Sequence, residues 1–167
     1  MDLINIMNKF LMNEEIVSYK KYGNGHINVT YLAVSKDHNL YIVQKINNYA
    51  FKDVDLLINN ICQVTNHIKN KGIETIEMLQ YEDGKYYVEV NGEYYRMYKF
   101  QDNTITVEKP EGIKTVKFAA QAFGKFHKNL ADMDASKLGE VIPHFHDTPK
   151  RYNDLLNAIK EDKLGRV

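Results

Sequence analysis

Two glycines one residue apart stand in Tyr22-Gly23-Asn24-Gly25-His26-Ile27-Asn28, and Lys45 closes a β-prone run further on. Without a Cβ, such glycines let a backbone come close to a ligand. Successive N–H groups in the turn can form a concave anion site. A lysine on a neighbouring strand supplies the positive charge that a polyphosphate needs. The chemistry these residue types offer is therefore phosphate binding, and the same residues also suit a plain hairpin with a surface lysine. The stretch lacks the Gly-Lys-hydroxyl ending of a P-loop. It also lacks the third glycine of the dinucleotide fingerprint, and a β-prone run rather than a helix follows it.

Elements that would position these residues are legible on both sides. Ile16–Tyr19, Val29–Val34 and Leu40–Ile46 are β-branched and aromatic and read as three strands. Before them, Leu3, Ile4, Met7, Phe10 and Leu11 recur at helical spacing and predict a short helix over 2–11. After them, Asp53 or Asp55 caps a helix whose stripe of Val54, Leu57, Ile58, Ile61, Val64, Thr65 and Ile68 runs to about Asn70. A meander follows over 75–80, 86–90 and 93–100, turned by Asp83-Gly84 and Asn91-Gly92. Residues 101–110 are polar. Helices then take over at 111–131, with Val116, Phe123, Phe126 and Leu130, and again from Lys150, with Tyr152, Leu155, Leu156 and Ile159. Strands gathered first and helices last read as α+β, with a boundary near residue 101.

Composition removes several classes. The chain has 167 residues, enough for one domain or two small lobes. Lys and Arg together number 22, as do Asp and Glu, so no global basic field draws in nucleic acid. The lone Cys62 excludes an internal disulfide framework and fits a reducing cytoplasm. The start of the chain has no basic region before an apolar core, and no apolar run approaches the roughly 20 residues of a membrane span.

Other chemistry-bearing residues favour structural roles. His144, His146 and Asp147 invite a metal, but no further His or Cys cluster completes a zinc site. Asp147 or Thr148 is better read as the cap of the last helix. Cys62 reads as a small hydrophobe beside Ile58 and Ile61, and His67 and His127 as surface or packing residues. Asp132, Asp134 and Glu140 read as solvated charges.

Taken in order, Gly23–Tyr31, Tyr41–Asn47, Phe51-Lys52-Asp53, Val64–His67, Asp83-Gly84, Gly92–Arg96, Phe123–Phe126 and Ile142–Thr148 with Arg151-Tyr152 resemble the aminoglycoside phosphotransferase and choline kinase superfamily. Within it the chain looks like the N-acetylhexosamine kinases, which phosphorylate a sugar at its anomeric hydroxyl. The resemblance implies a kinase-like N-terminal lobe over 1–100, an antiparallel sheet with one packed helix. A hinge and the first helices of a helical lobe would follow over 101–167. It implies that Gly23, Asn24, Gly25, His26 and Asn28 cover the phosphates of ATP and that Lys45 reaches them. Gln44 takes that place if the register differs by one, since strand parity lets only one of the two face the cleft. Tyr98, Lys99 and Phe100 would form the hinge that binds adenine. His26, with His146 and Asp147, would border the sugar.

The sequence departs from the family's pattern in two ways. Asn59 stands where the family's first lobe helix carries a glutamate for the strand lysine. Nothing up to Val167 matches the family's catalytic aspartate or its magnesium ligands, so the catalytic and metal groups are expected outside this chain, which alone should not turn over. The expectation is an N-terminal portion of a cytoplasmic, ATP- and magnesium-dependent sugar kinase. A nucleotide-binding or interaction module without catalysis, and a choline- or aminoglycoside-type phosphotransferase, are the alternatives. The two C-terminal apolar stripes further suggest a homodimer through those helices.

Overall fold

The computed structural model describes residues 2–104, 107 and 109–166. Of the linker read over 101–110, residues 105, 106 and 108 lie outside the described residues, as do Met1 and Val167.

Five antiparallel strands form one sheet in the order β1-β2-β3-β5-β4. They are β1 (Ile16–Lys21), β2 (Val29–Ser35), β3 (Leu40–Ile46), β4 (Val88–Val90) and β5 (Glu93–Lys99). The β2–β3 turn is closed by Ser35, whose N–H donates to the Asn39 carbonyl at 2.9 Å and whose hydroxyl accepts from the Asn39 N–H at 3.1 Å. The β4–β5 hairpin turns on Asn91 and Gly92, at φ 54° and 79°. Both residues sit in the left-handed region, the requirement of a two-residue turn that matches the strands' twist.

A helix covers each face. Helix α1 (Leu3–Asn8) packs Ile6 and Met7, with Phe10 just beyond it, onto Ala33, Tyr41, Val43, Tyr95 and Met97. Helix α2 (Val54–Asn70) packs Val54 and Ile58 onto Ile46, Tyr87 and Tyr94 on the other face. Strand alternation divides β3 accordingly: Tyr41 and Val43 face α1, Ile42 and Ile46 do not. Met97 is fully buried, and cutting such a side chain to Ala costs about 2–5 kcal/mol.

The predicted helix over 2–11 is shorter, ending at Asn8. There the Asn8 side-chain oxygen accepts the Ile16 N–H at 2.7 Å, binding the helix end to β1. Asp53 caps α2, accepting the Leu56 N–H at 2.8 Å, while Asp55 accepts the Tyr87 hydroxyl at 2.7 Å.

The expected strand over 75–80 does not form. Among the described residues its only pairing is a bridge between Met78 and Tyr98, with the Leu79 N–H donating to Met97 and the Lys99 N–H to Glu77. The reason is that β4 lies along the first half of the same β5 edge, opposite Glu93–Tyr95. Glu77–Leu79 and β4 thus share one edge in line rather than standing side by side, and Tyr81–Lys85 loops out between them. Strand 86–90 is correspondingly cut to Val88–Val90.

Beyond residue 110 come α3 (Ile113–Leu130), a 3-10 turn at Ala135–Lys137, and α4 (Thr148–Glu161). No residue of α3 or α4 is buried; Phe123 is 69% and Tyr152 60% exposed. No helix among the described residues is long and apolar enough to cross a membrane.

Candidate functional site

The Tyr22–Asn28 turn joins the open ends of β1 and β2. Gly23 adopts φ 73°, where a side chain would be strained; Gly25 does not, and a Cβ there would meet only the Asn28 carbonyl oxygen at 3.7 Å. His26 is exposed. Asn28 anchors the turn: its side-chain oxygen accepts the Asn47 N–H at 2.9 Å, just past β3. The Asn47 side-chain oxygen in turn accepts the N–H groups of Tyr49 and Ala50, so one chain of hydrogen bonds ties the turn to the loop before α2.

The sheet face shared with α2 carries two rows beside this turn, one mostly apolar and one polar. One aligns Leu32, Ile42 and Tyr98; the next aligns Thr30, Gln44 and Arg96. Tyr22 joins the second row, its N–H donating to the Thr30 carbonyl at 2.9 Å. Its ring meets Phe100 edge-on, centroids 6.0 Å apart. Gln44 is held at both ends of its amide. Its nitrogen donates to the Thr30 hydroxyl at 3.1 Å, and its oxygen accepts from Arg96 Nε at 3.0 Å and Nη2 at 2.8 Å. Arg96 Nη1 is buried with no hydrogen-bond partner among the described residues. Burial lowers the guanidinium pKa from its ordinary value, though an arginine stays charged at any ordinary pH.

Lys45 lies on the opposite face. It pairs with Glu93, whose carboxylate also accepts the Tyr95 hydroxyl at 2.5 Å. The hydrogen bonds from Lys45 and Tyr95 hold the Glu93 carboxyl below its usual range. Of the two alternatives on β3, Gln44 is the one that shares a face with Tyr22, Tyr98 and Phe100. The carboxylate partner of Lys45 comes from β5 and not from α2, where Asn59 is exposed.

The hinge residues are partly committed. The Lys99 N–H donates to Glu77 at 3.2 Å and the Phe100 N–H to Leu40 at 3.0 Å. Lys99 Nζ pairs with Glu77 at 3.1 Å.

The remaining candidates sit elsewhere in the chain and have structural partners. Asp147 caps α4, accepting the Lys150 N–H at 3.0 Å, and His144 Nδ1 lies 3.1 Å from its other oxygen. The Lys150 N–H and then His144 lower its pKa. His146 stacks edge-on with Phe145, centroids 4.7 Å apart. Asp132, read as a solvated charge, is exposed and also pairs with Lys71 and with His67 Nε2 at 3.0 Å, tying the end of α3 to α2. Burial raises the Cys62 thiol pKa, as suits an unreactive packing residue. Among the described residues no three His, Cys, Asp or Glu side chains could together hold a metal ion.

Gln44 was reachable from strand parity. Arg96, at the end of the Gly92–Arg96 stretch, is the site residue that sequence reasoning misses. Its signal was an arginine alternating out of phase with the apolar Tyr95 and Met97.

No protein-family model matches the chain. Among solved structures, it is similar to spectinomycin phosphotransferase APH(9)-Ia, solved with ADP and spectinomycin, at TM-score 0.50 and 17% identity over 74% of this chain. The likeness is one of fold. It covers 35% of that enzyme's length. The kinase-like N-terminal lobe expected from the sequence is therefore the observed architecture, an α+β unit of five antiparallel strands with helices.

Proposed function

We propose that this chain is the nucleotide-binding N-terminal part of an ATP-dependent small-molecule kinase. The observation that carries the reading is one face of the sheet. Beneath the Gly23–Asn28 turn it gathers Tyr22, Gln44, Arg96, Tyr98 and Phe100 in a fold shared with a phosphotransferase that was solved with ADP. In this reading residues 1–100 form the nucleotide lobe and 101–167 the hinge and first helices of a second lobe. Gly23, Asn24, Gly25, His26 and Asn28 line the phosphates. Gln44, not Lys45, is the β3 residue on the nucleotide's side. Adenine sits by Tyr98 and Phe100, and any backbone donor it uses comes from beyond Phe100, because the N–H groups of Lys99 and Phe100 are taken.

An orphaned buried Arg96 nitrogen suits a polyphosphate. Bound ATP would supply the transferable phosphoryl group. Magnesium and the catalytic base would be held by groups outside this chain, because phosphoryl transfer rests on metal charge and positioning of the attacking hydroxyl. The acceptor in this reading is an N-acetylhexosamine, with His26, His146 and Asp147 near it. The exposed stripes of α3 and α4 would be covered by the second lobe or by a second copy, and the protein would work in the cytoplasm.

The test is coupled ADP release with N-acetylglucosamine, N-acetylgalactosamine, choline and an aminoglycoside, on this chain and on the full product of its gene. Turnover of an N-acetylhexosamine by the full product alone is the expected result. Robust turnover by residues 1–167 would overturn the lobe assignment. Turnover of choline or the aminoglycoside instead would overturn the substrate.

A further inference from the structure

We infer that Arg96, held by Gln44, is the anion-binding group of this sheet face and takes the role that a β3 lysine would otherwise fill. The inference rests on the nucleotide reading above only for the name of its ligand, a nucleotide polyphosphate. The guanidinium sits on β5, directly across from Gln44 in the ladder. Two of its nitrogens donate to one neutral acceptor, Gln44 Oε1, at 3.0 and 2.8 Å. Its third nitrogen, Nη1, is buried and has no partner among the described residues. No ion pair of Arg96 with a carboxylate is formed among the described residues.

A buried charge is usually paired with an opposite one, since an unpaired one is costly. Here the hydrogen-bond partner is a neutral amide, with the Tyr98 phenol nearby, so the positive charge is oriented but not neutralised. The Thr30 hydroxyl holds the other end of the Gln44 amide, and a flipped amide would turn its NH2 onto the guanidinium and lose both Arg96 bonds. This arrangement aims a guanidinium and leaves its charge for something that is not in the chain. Arginine forms forked hydrogen bonds to phosphate oxygens, which suits such a site. Arg96 as a whole is half-buried and so borders solvent. The one lysine of β3, Lys45, is on the other face with its charge already matched by Glu93.

The experiment titrates pyrophosphate, ADP and adenosine into the wild-type chain and the Arg96→Gln, Arg96→Lys and Lys45→Gln variants, by calorimetry. The wild type is expected to bind ADP and pyrophosphate, and ADP about tenfold or more tighter than adenosine. Arg96→Gln should abolish that preference while adenosine still binds, which also reports that the variant is folded. If Arg96→Gln does not fold, Arg96→Lys serves. It keeps the charge, but one ammonium cannot both hold Gln44 and fork onto a phosphate, so the preference should fall severalfold. Lys45→Gln should leave the preference intact. An undiminished preference in both Arg96 variants, or its loss in Lys45→Gln, overturns the inference while the nucleotide reading stands. Binding of pyrophosphate that depends on Arg96, with no binding of ADP or adenosine, upholds the anion site and ends the nucleotide reading. No binding of any of the three by the wild type ends both.

Discussion

Asn60 and Gly139 hold each other by two hydrogen bonds. The Asn60 amide nitrogen donates to the Gly139 carbonyl at 2.7 Å, and the Gly139 N–H donates to the Asn60 amide oxygen at 3.0 Å. The side chain thus acts as a strand partner for one residue, and α2 grips the segment that follows α3. Asn60→Ala removes both bonds and leaves a half-buried peptide group unpaired. The expected loss is about 1–3 kcal/mol of unfolding free energy, read by urea denaturation. The Gly139 amide should lose hydrogen-exchange protection at the same time.

The same junction is tight. A Cβ added at Gly139 would stand 2.9 Å from Leu56 Cδ2 and 3.0 Å from Leu56 Cγ. Gly139→Ala is expected to cost about 1–3 kcal/mol by overpacking. Leu56→Ala should relieve most of that cost, so the double variant is less destabilised than the two single changes added together. Simple additivity in the denaturation series would show that Leu56 does not limit the space.

Much of this frame was legible in the sequence because its signals are local. Runs of β-branched and aromatic residues mark β2 and β3, a helical stripe and Asp53 mark α2, and Asn91-Gly92 marks the β4–β5 turn. The strand read over 75–80 failed because an apolar run does not say whether an edge is already shared. Only the ladder shows β4 and Glu77–Leu79 lying end to end along β5. The site depended on register in the same way. Gln44 and Lys45 are equally placed in the sequence, and packing of Val43 against α1 decides which one turns toward α2. The Gln44–Arg96 and Asn60–Gly139 partnerships join residues 52 and 79 positions apart, beyond the reach of any local pattern.

Acid should loosen the α2–α3 junction in a defined window. Hydrogen bonds from Lys71 and then His67 lower the Asp132 pKa from the ordinary 3.8 to about 2. Because the folded value is depressed, its stabilising contribution is complete above 3.8 and is lost as pH falls through about 2. Asp132→Asn is expected to flatten the melting temperature against pH across that interval and to leave the higher range unchanged in shape. An identical acid limb in the variant would exclude Asp132 as its source.

The two turn glycines should separate conformation from ligand contact. Gly23→Ala places a Cβ in the left-handed region and is expected to destabilise the free chain by roughly 1–2 kcal/mol. Gly25→Ala meets no such strain and should leave the melting temperature near its parent value. It should still weaken ADP binding, because the added methyl stands on the turn that is proposed to approach the phosphates. Equal melting and equal binding for Gly25→Ala and the parent would remove Gly25 from the site.

The nucleotide-binding reading meets its most direct test in amide NMR of the labelled chain titrated with a non-hydrolysable ATP analogue and magnesium. The account predicts saturable shifts confined to Tyr22–Asn28, Gln44, Arg96 and the residues from Tyr98 to Asp102, with Lys45 side-chain resonances little moved. No shifts at millimolar analogue, or shifts confined to α3 and α4, would contradict it.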